Sequence, residues 1–213
     1  MDYKKFADFS PCDYAGPIKR ESFMDAGVKE LWRDIPRISG PAFTVNMVPG
    51  DNLALHRAIY EAPKGSIIVA QTNSMDYAVS GGNVCAIAKG LGIAGFIIDG
   101  VVRDIGEVKE MKFPIFGRGV HPMPGVKKAV LPLNTPIVAG GIAVNPDDII
   151  VADEEGVAVI PKEQAQRVYE ETKLKMQNDL WKKRQSLQEM TNYLFDNIEN
   201  TYLNSFSDNL IEI

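Results

Sequence analysis

Two short stretches hold residue types that can act on a small acid: Gly81-Gly82-Asn83-Val84, and Arg103-Asp104 followed by Glu107. Gly81-Gly82 precedes a run, Asn83–Leu91, with the apolar spacing of a helix. A helix start leaves N–H donors unpaired and carries partial positive charge, so a carboxylate can sit there. Glycine lets that carboxylate approach the backbone closely. Taken alone, a Gly-Gly pair is more often a plain turn before a helix. The second stretch follows Phe96-Ile97-Ile98-Asp99-Gly100, which reads as the end of a buried strand, a common place for site residues in α/β folds. Asp104 and Glu107 are spaced i,i+3 and share one face of a helical turn. Two carboxylates on one face repel unless a cation lies between them. Oxygen-only ligands favour Mg²⁺ or Mn²⁺, with water filling the remaining positions. Arg103 can balance that charge or fork onto a substrate carboxylate. A solvated turn with an Arg-Asp ion pair fits the spacing equally well. Together the two stretches suit metal-assisted chemistry on a 2-oxo acid.

Positioning these residues requires a sheet. Strand-like runs recur at Ala42–Met47, Ser66–Ala70, Gly95–Asp99, Ile115–Phe116, Lys128–Pro132, Ile137–Ala139, Ile149–Ala152 and Val157–Ile160, punctuated by Gly, Pro and Asp. Helical spacing falls at Ser22–Leu31, Asn52–Glu61 and Asn83–Leu91. An α/β front half runs into a β-rich back half, most simply a layered sandwich around one core over residues 1–161. From Lys162 the texture changes, and Met176, Leu180, Leu187 and Leu194 recur as on a long amphipathic helix. Such a helix can close its own domain or pack on a neighbouring subunit, so residues 162–213 form a second segment. Beyond Asn197 the polar tail reads as loose, with Tyr202, Leu203, Phe206, Leu210 and Ile211 as docking candidates.

Other polar residues carry weaker signals. Asp51, Asn52, His56 and Arg57 can reach a pocket, but Asn52 reads more simply as an N-cap and His56 as a half-buried helix residue. Arg118 and His121 flank glycines in what reads as a turn. Cys85 has no histidine near it in sequence and reads as a small packed residue.

The series Gly40-Pro41-Ala42-Phe43-Thr44-Val45, Asp51-Asn52, His56-Arg57-Ala58-Ile59, Gly81 to Ala88, Gly92-x-x-Gly95, Ile98-Asp99-Gly100-x-x-Arg103-Asp104, Gly140-Gly141, Asp147-Asp148-Ile149-Ile150 and Asp153 to Val157 occurs in one order. It resembles the family that joins the ribonuclease E activity regulator A (RraA) proteins with the class II 4-hydroxy-4-methyl-2-oxoglutarate aldolases. The likeness spans roughly residues 10–185. The resemblance implies an α/β fold, an αββα sandwich of the swivelling β/β/α type with a long C-terminal helix. It also implies a homotrimer, or a hexamer of two trimers, with sites between subunits. The family's aldolases hold a pyruvyl carboxylate on the glycine-turn amides and the arginine, here Gly81, Gly82, Asn83, Val84 and Arg103. Their aspartate, here Asp104, binds Mg²⁺ or Mn²⁺. Retro-aldol cleavage then yields pyruvate enolate, and oxaloacetate decarboxylation passes through the same enolate. The alternative that the resemblance carries is a non-catalytic inhibitor of ribonuclease E.

The chain departs from that pattern twice. Many family aldolases have an acidic residue where this chain has Gly82, and Glu107 is inferred to take over as metal ligand, directly or through water. The aldolases also contribute a glutamate from the C-terminal helix of the adjacent subunit, and Asp179 stands nearest to that place.

Composition limits the alternatives. The chain has 213 residues, 45% apolar and 24% charged, ordinary for a globular protein with a real core. A net charge of −5 without a basic run argues against a nucleic-acid partner. Two cysteines make no disulfide framework, and two distant histidines make no zinc signature. No signal-peptide core or membrane-length run is present, so the expectation is a cytoplasmic protein without a membrane partner. A methyltransferase is disfavoured because no Gly-x-Gly-x-x-Gly follows a first strand.

Overall fold

A computed structural model describes residues 2–129 and 131–184, with 194, 195 and 198. Its first compact unit is Met1–Thr172, and Lys173–Ile213 form a second. The main sheet has seven strands: β1 (Lys29–Glu30), β2 (Ile38–Asn46), β3 (Ile67–Gln71), β4 (Gly95–Val102), β5 (Ile115–Val120), β8 (Ile149–Asp153) and β9 (Gly156–Ile160). They lie in the order β1-β5-β4-β3-β2-β8-β9. A separate hairpin joins β6 (Ile137–Ala139) to β7 (Ile142–Val144). The helices are α1 (Leu53–Glu61), α2 (Gly82–Leu91), α3 (Ile105–Glu110) and the long C-terminal α4 (Ala165–Arg184). This is the mixed α/β architecture expected from the sequence.

β2 is the hinge of the sheet. Its first half pairs antiparallel with β8, Ile38 opposite Ala152, and its second half parallel with β3, Ala42 opposite Ile67. Parallel strands need crossovers, and α1 and α2 supply them on either side of β3 in the chain. β3 and the middle of β4 are apolar on both faces, with Ile67, Ile68, Val69, Phe96, Ile97 and Ile98 fully buried. That is the continuous apolar run that a strand covered on both faces requires. α1 buries Ala54, Leu55, Ala58 and Ile59, and α2 buries Val84, Cys85 and Ala88 on one stripe. α2 ends at Gly92, whose φ of 85° closes the helix in the left-handed region. A second cluster covers β8 and β9, where Phe6, Tyr14 and Ile18 meet Ile149, Val151, Ala165 and Val168. The Tyr14 hydroxyl donates to the Phe6 carbonyl at 2.7 Å, so its burial leaves no polar atom unpaired.

Two expected elements are absent. Ser22–Leu31 is not a helix: a short 3₁₀ turn at Arg20–Ser22 leads into β1. Met24 N–H bonds Val157 O at 3.0 Å and Asp25 N–H bonds Gly140 O at 2.8 Å, so long-range pairing takes the donors a helix would use. Lys128–Pro132 is not a strand over its described residues. Lys128 and Ala129 donate instead to Asp51 Oδ2, at 2.7 and 3.0 Å. α3, β1 and β7 are additional to the expected elements. On the C-terminal helix Met176 is half-buried, and Leu194, beyond its described end, is exposed. Leu187 and the tail from Tyr202 to Ile211 lie outside the described residues, as does the Leu180 side chain.

β4 carries the irregularity on which the site depends. Its pairing with β5 shifts register between Ile98 and Val101. At that step Gly100 lies against Thr72, whose hydroxyl donates to Asp99 O at 2.7 Å. A Cβ on Gly100 would fall 2.9 Å from Thr72 Cβ, a part of the side chain that no rotamer change can move away. Gly100→Ala is therefore expected to cost about 1–3 kcal/mol in urea denaturation. Gly106→Ala, in α3 with open space around it, should leave stability unchanged or raise it by up to about 1 kcal/mol.

Candidate functional site

Beyond the bulge, β4 continues as a ladder with the segment that leads into α2. Val79 N–H bonds Val101 O at 3.1 Å and Arg103 N–H bonds Ser80 O at 2.9 Å. The ladder brings the two predicted stretches side by side. Gly81, the N-cap of α2, has no side chain, and a Cβ there would lie 2.5 Å from Asp104 Oδ2 and 3.0 Å from Arg103 Cγ. Gly82 N–H donates to Asp104 Oδ2 at 3.2 Å, and Arg103 Nε lies 3.4 Å from the same oxygen. Glu107, in the first turn of α3, places its carboxylate in the space that a Cβ on Gly82 would take. The carboxylate missing at position 82 is thus matched by one from position 107, reaching the same spot from the other side.

A cavity of about 140 Å³ opens beside this pair. Gly81, Asn83, Val84, Arg103 and Asp104 line it, joined by Asn52, His56, Ser80, Pro124 and Lys127. A cavity of about 150 Å³ holds a benzene-sized molecule, so this one suits a ligand of about six non-hydrogen atoms. Gly82 and Glu107 are not among its lining residues, and Gly82 N–H meets it through the Asp104 carboxylate. Asp179 sits on α4, half-buried, in the second unit.

The walls come from distant parts of the chain. Asn52 N–H bonds Val126 O at 2.8 Å and Ala78 N–H bonds Met123 O at 2.7 Å, which ties the loop of Pro124 and Lys127 to both α1 and the approach to α2. Asp51 does not face the cavity as a ligand. It is 3% exposed, and its carboxylate accepts from Leu53 N, Lys128 N and Ala129 N. Burial raises the Asp51 pKa, but these three bonds outweigh it and hold the group below the usual carboxylate range. Asp51 thereby caps α1, whereas Asn52, at the N-cap position, makes no side-chain cap bond. Instead Asn52 is 6% exposed, and its Oδ1 is the buried side-chain atom without a hydrogen-bond partner among the described residues. A buried acceptor left unpaired is costly, and it calls for a hydrogen-bond donor and not for a carboxylate.

Ser80, Pro124 and Lys127 were not singled out by the sequence, since only the folded ladder brings them to the cavity. His56, read there as a half-buried helix residue, is half-buried and also lines the cavity. Arg118 does not join them. It bonds Asp25 through both terminal nitrogens at 2.8 and 3.0 Å, and Asp99 through Nε, tying β5 to β4 and to the N-terminal segment. Those bonds raise its pKa further. Cys85 is buried beside Ser80, and burial pushes its thiol up to about 11, unsuited to a nucleophile. Among the described residues no group of three or more His, Cys, Asp or Glu gathers to hold a metal. No helix among them is long and apolar enough to cross a membrane.

Burial, and next the charge of Lys127, lower the His56 pKa below its ordinary value. The imidazole is therefore neutral near pH 7. A pKa depressed by folding contributes stability that is present above the unfolded value of about 6.5 and is lost as pH falls through the folded value. A ¹H NMR titration is expected to place the His56 midpoint below about 6.5. Lys127→Ala should move it upward without unfolding the protein.

Comparison with known proteins agrees with this architecture. The RraA-like family model, Aldolase/RraA, matches residues 11–159. A protein of Halalkalibacterium halodurans provisionally named 4-hydroxy-4-methyl-2-oxoglutarate aldolase is 43% identical over 144 residues, covering 67% of this chain and 69% of its own. A Bacillus cereus protein with the same provisional name is 32% identical over 146 residues, covering 68% and 87%. The crystal structure of Streptomyces coelicolor RraAS2, an unusual member of the RNase ES inhibitor RraA family, superposes with a TM-score of 0.77 at 25% identity, covering 85% and 94%. With its fold, its ordered motifs and the family match in agreement, the chain belongs to the RraA-like Aldolase/RraA family.

Proposed function

We propose that the protein is a divalent-metal-dependent lyase that acts on 2-oxo acids through a pyruvate enolate. Its reactions would be retro-aldol cleavage of substrates like 4-hydroxy-4-methyl-2-oxoglutarate, decarboxylation of oxaloacetate, or both. The observation that carries this reading is the small cavity in which Arg103, the start of α2 and Asp104 converge. Pyruvate has about six non-hydrogen atoms and matches its volume.

The donor set fits a hard cation that keeps most of its water, not a full protein cage. Asp104 and Glu107 approach Gly82 from two sides, and Mg²⁺ is commonly held by one or two carboxylates plus substrate and water. Asp104, with Glu107 directly or through water, would hold Mg²⁺ or Mn²⁺, which when bound supplies Lewis acidity toward the 2-keto oxygen. The Arg103 guanidinium and the amides of Gly82, Asn83 and Val84 hold the pyruvyl carboxylate and set positive potential where the enolate charge develops. In the retro-aldol direction the bond from C3 to C4 breaks, its electron pair enters the enolate, and the 4-hydroxyl gives up a proton. The enolate carbon then takes a proton to become pyruvate. His56, neutral and on the cavity wall, is suited to carry that proton.

On this reading the protein assembles as a trimer or hexamer, with Asp179 offered to a neighbouring site. Tyr77, Met123 and Val126 support assembly, since each is exposed and sits next to a cavity residue in the chain. Inhibition of ribonuclease E has no comparable support, because a protein-binding surface does not call for a small cavity lined by Arg103, Asp104 and the start of α2.

Pyruvate release from oxaloacetate and from 4-hydroxy-4-methyl-2-oxoglutarate, corrected for the uncatalysed rate, tests the reading. Activity should require Mg²⁺ or Mn²⁺, vanish with chelator, and fall about 100-fold or more in Arg103→Ala and Asp104→Ala. Turnover that survives the chelator or Asp104→Ala rules the mechanism out.

A further inference from the structure

The anion-binding start of α2 already holds an anion, and it belongs to the protein itself. Asp104 Oδ2 accepts from Gly82 N–H at 3.2 Å and lies 3.4 Å from Arg103 Nε. These are the donors that the function proposed above gives to a substrate carboxylate. An aspartate at the N-cap of a helix ordinarily bonds the amides of its own first turn. Asp104 stands at the N-cap of α3 but makes no side-chain bond to it. Its backbone is left-handed, with φ 57° and ψ 36°, and its carboxylate reaches across to α2 instead. The bare Gly81 leaves room for it, since a Cβ there would come within 2.5 Å of Oδ2.

Arg103 and Asp104 both line the cavity beside the start of α2, so a carboxylate entering it meets donors that an internal carboxylate already holds.

We infer that Asp104 is an internal competitor for the carboxylate site at the start of α2, and that a ligand carboxylate binds by displacing it from Gly82 N–H and Arg103. The inference rests on the carboxylate-binding reading above and adds what the ligand-free protein does with the same donors. Removing the Asp104 side chain should then strengthen binding of a carboxylate, where a purely supportive residue would weaken it.

Oxalate binding by calorimetry to full-length, metal-stripped protein separates these cases. Asp104→Gly and Asp104→Asn suit a left-handed backbone and so keep the fold. Glu110→Gln, exposed on α3, removes the same charge without touching the cradle. Oxalate should bind about three- to tenfold more tightly to Asp104→Gly than to the wild type, with a smaller gain for Asp104→Asn and none for Glu110→Gln. The Gly82 amide resonance should move upfield in Asp104→Gly and return downfield on adding oxalate. Equal or weaker binding by Asp104→Gly, or an equal gain in Glu110→Gln, overturns the competitor and leaves the carboxylate site standing. If no form binds oxalate, even the wild type with Mg²⁺, the carboxylate reading falls and the competitor with it.

Discussion

The backbone ladder between residues 79–80 and 101–103 is the constraint on which the site depends. Two hydrogen bonds, Val79 N–H to Val101 O and Arg103 N–H to Ser80 O, extend β4 past the point where β3 has ended. Backbone pairing fixes position more tightly than side-chain contact does, because each bond constrains two chains in register. Here it sets the start of α2 against Arg103 and Asp104. The register shift at Ile98/Val101 and the close contact of Gly100 with Thr72 give the ladder its direction. Asp99, within that shift, is held by Arg118 and by Gly140 N–H, so the bend is clamped on its other side as well.

Charge within the site is arranged as a near-balance. Arg103 and the positive end of α2 attract anions, while Asp104 and Glu107 offset them at close range. On the proposed reading a dicarboxylate 2-oxo acid would bring two negative charges and a divalent cation two positive ones, so the pair together would disturb that balance less than either alone. His56 responds to the same field. Lys127 opposes its protonation, and burial does so more strongly, which keeps an uncharged imidazole on a wall that also carries Arg103, Asp104 and Lys127.

How much of this was legible in the sequence depended on how local each feature is. β3, β4, β8 and the first α2 turn were readable because each is an apolar or glycine-bounded run whose environment is set by its own residues. The Gly81–Val84 and Arg103–Glu107 stretches were readable for the same reason, each being a few residues of telling type. Ser22–Leu31 misled because helical spacing is a weak preference. The Asp25 carboxylate accepts from Gly27 N–H at 2.8 Å, while Met24, Asp25 and Leu31 donate to β9, the β6–β7 turn and β5. Lys128–Pro132 misled because its apolar residues resemble a strand, while its leading amides belong to a carboxylate far away in sequence. Ser80, Pro124 and Lys127 gave no local signal at all.

Gly82 and Glu107 show what spacing can and cannot carry. From sequence, an absent acid at one position and an added acid at another are two separate facts. In the fold they become one, because α3 begins directly after the ladder and its first turn faces the first turn of α2. A side chain on residue 82 and the Glu107 carboxylate would compete for the same volume, so the chain can hold an acid from one place or the other. Glycine at 82 is then what lets the Glu107 carboxylate rest in this spot. A side chain at 82 would turn the exposed Glu107 carboxylate aside, so where that carboxylate sits depends on residue 82, whichever ligand it serves.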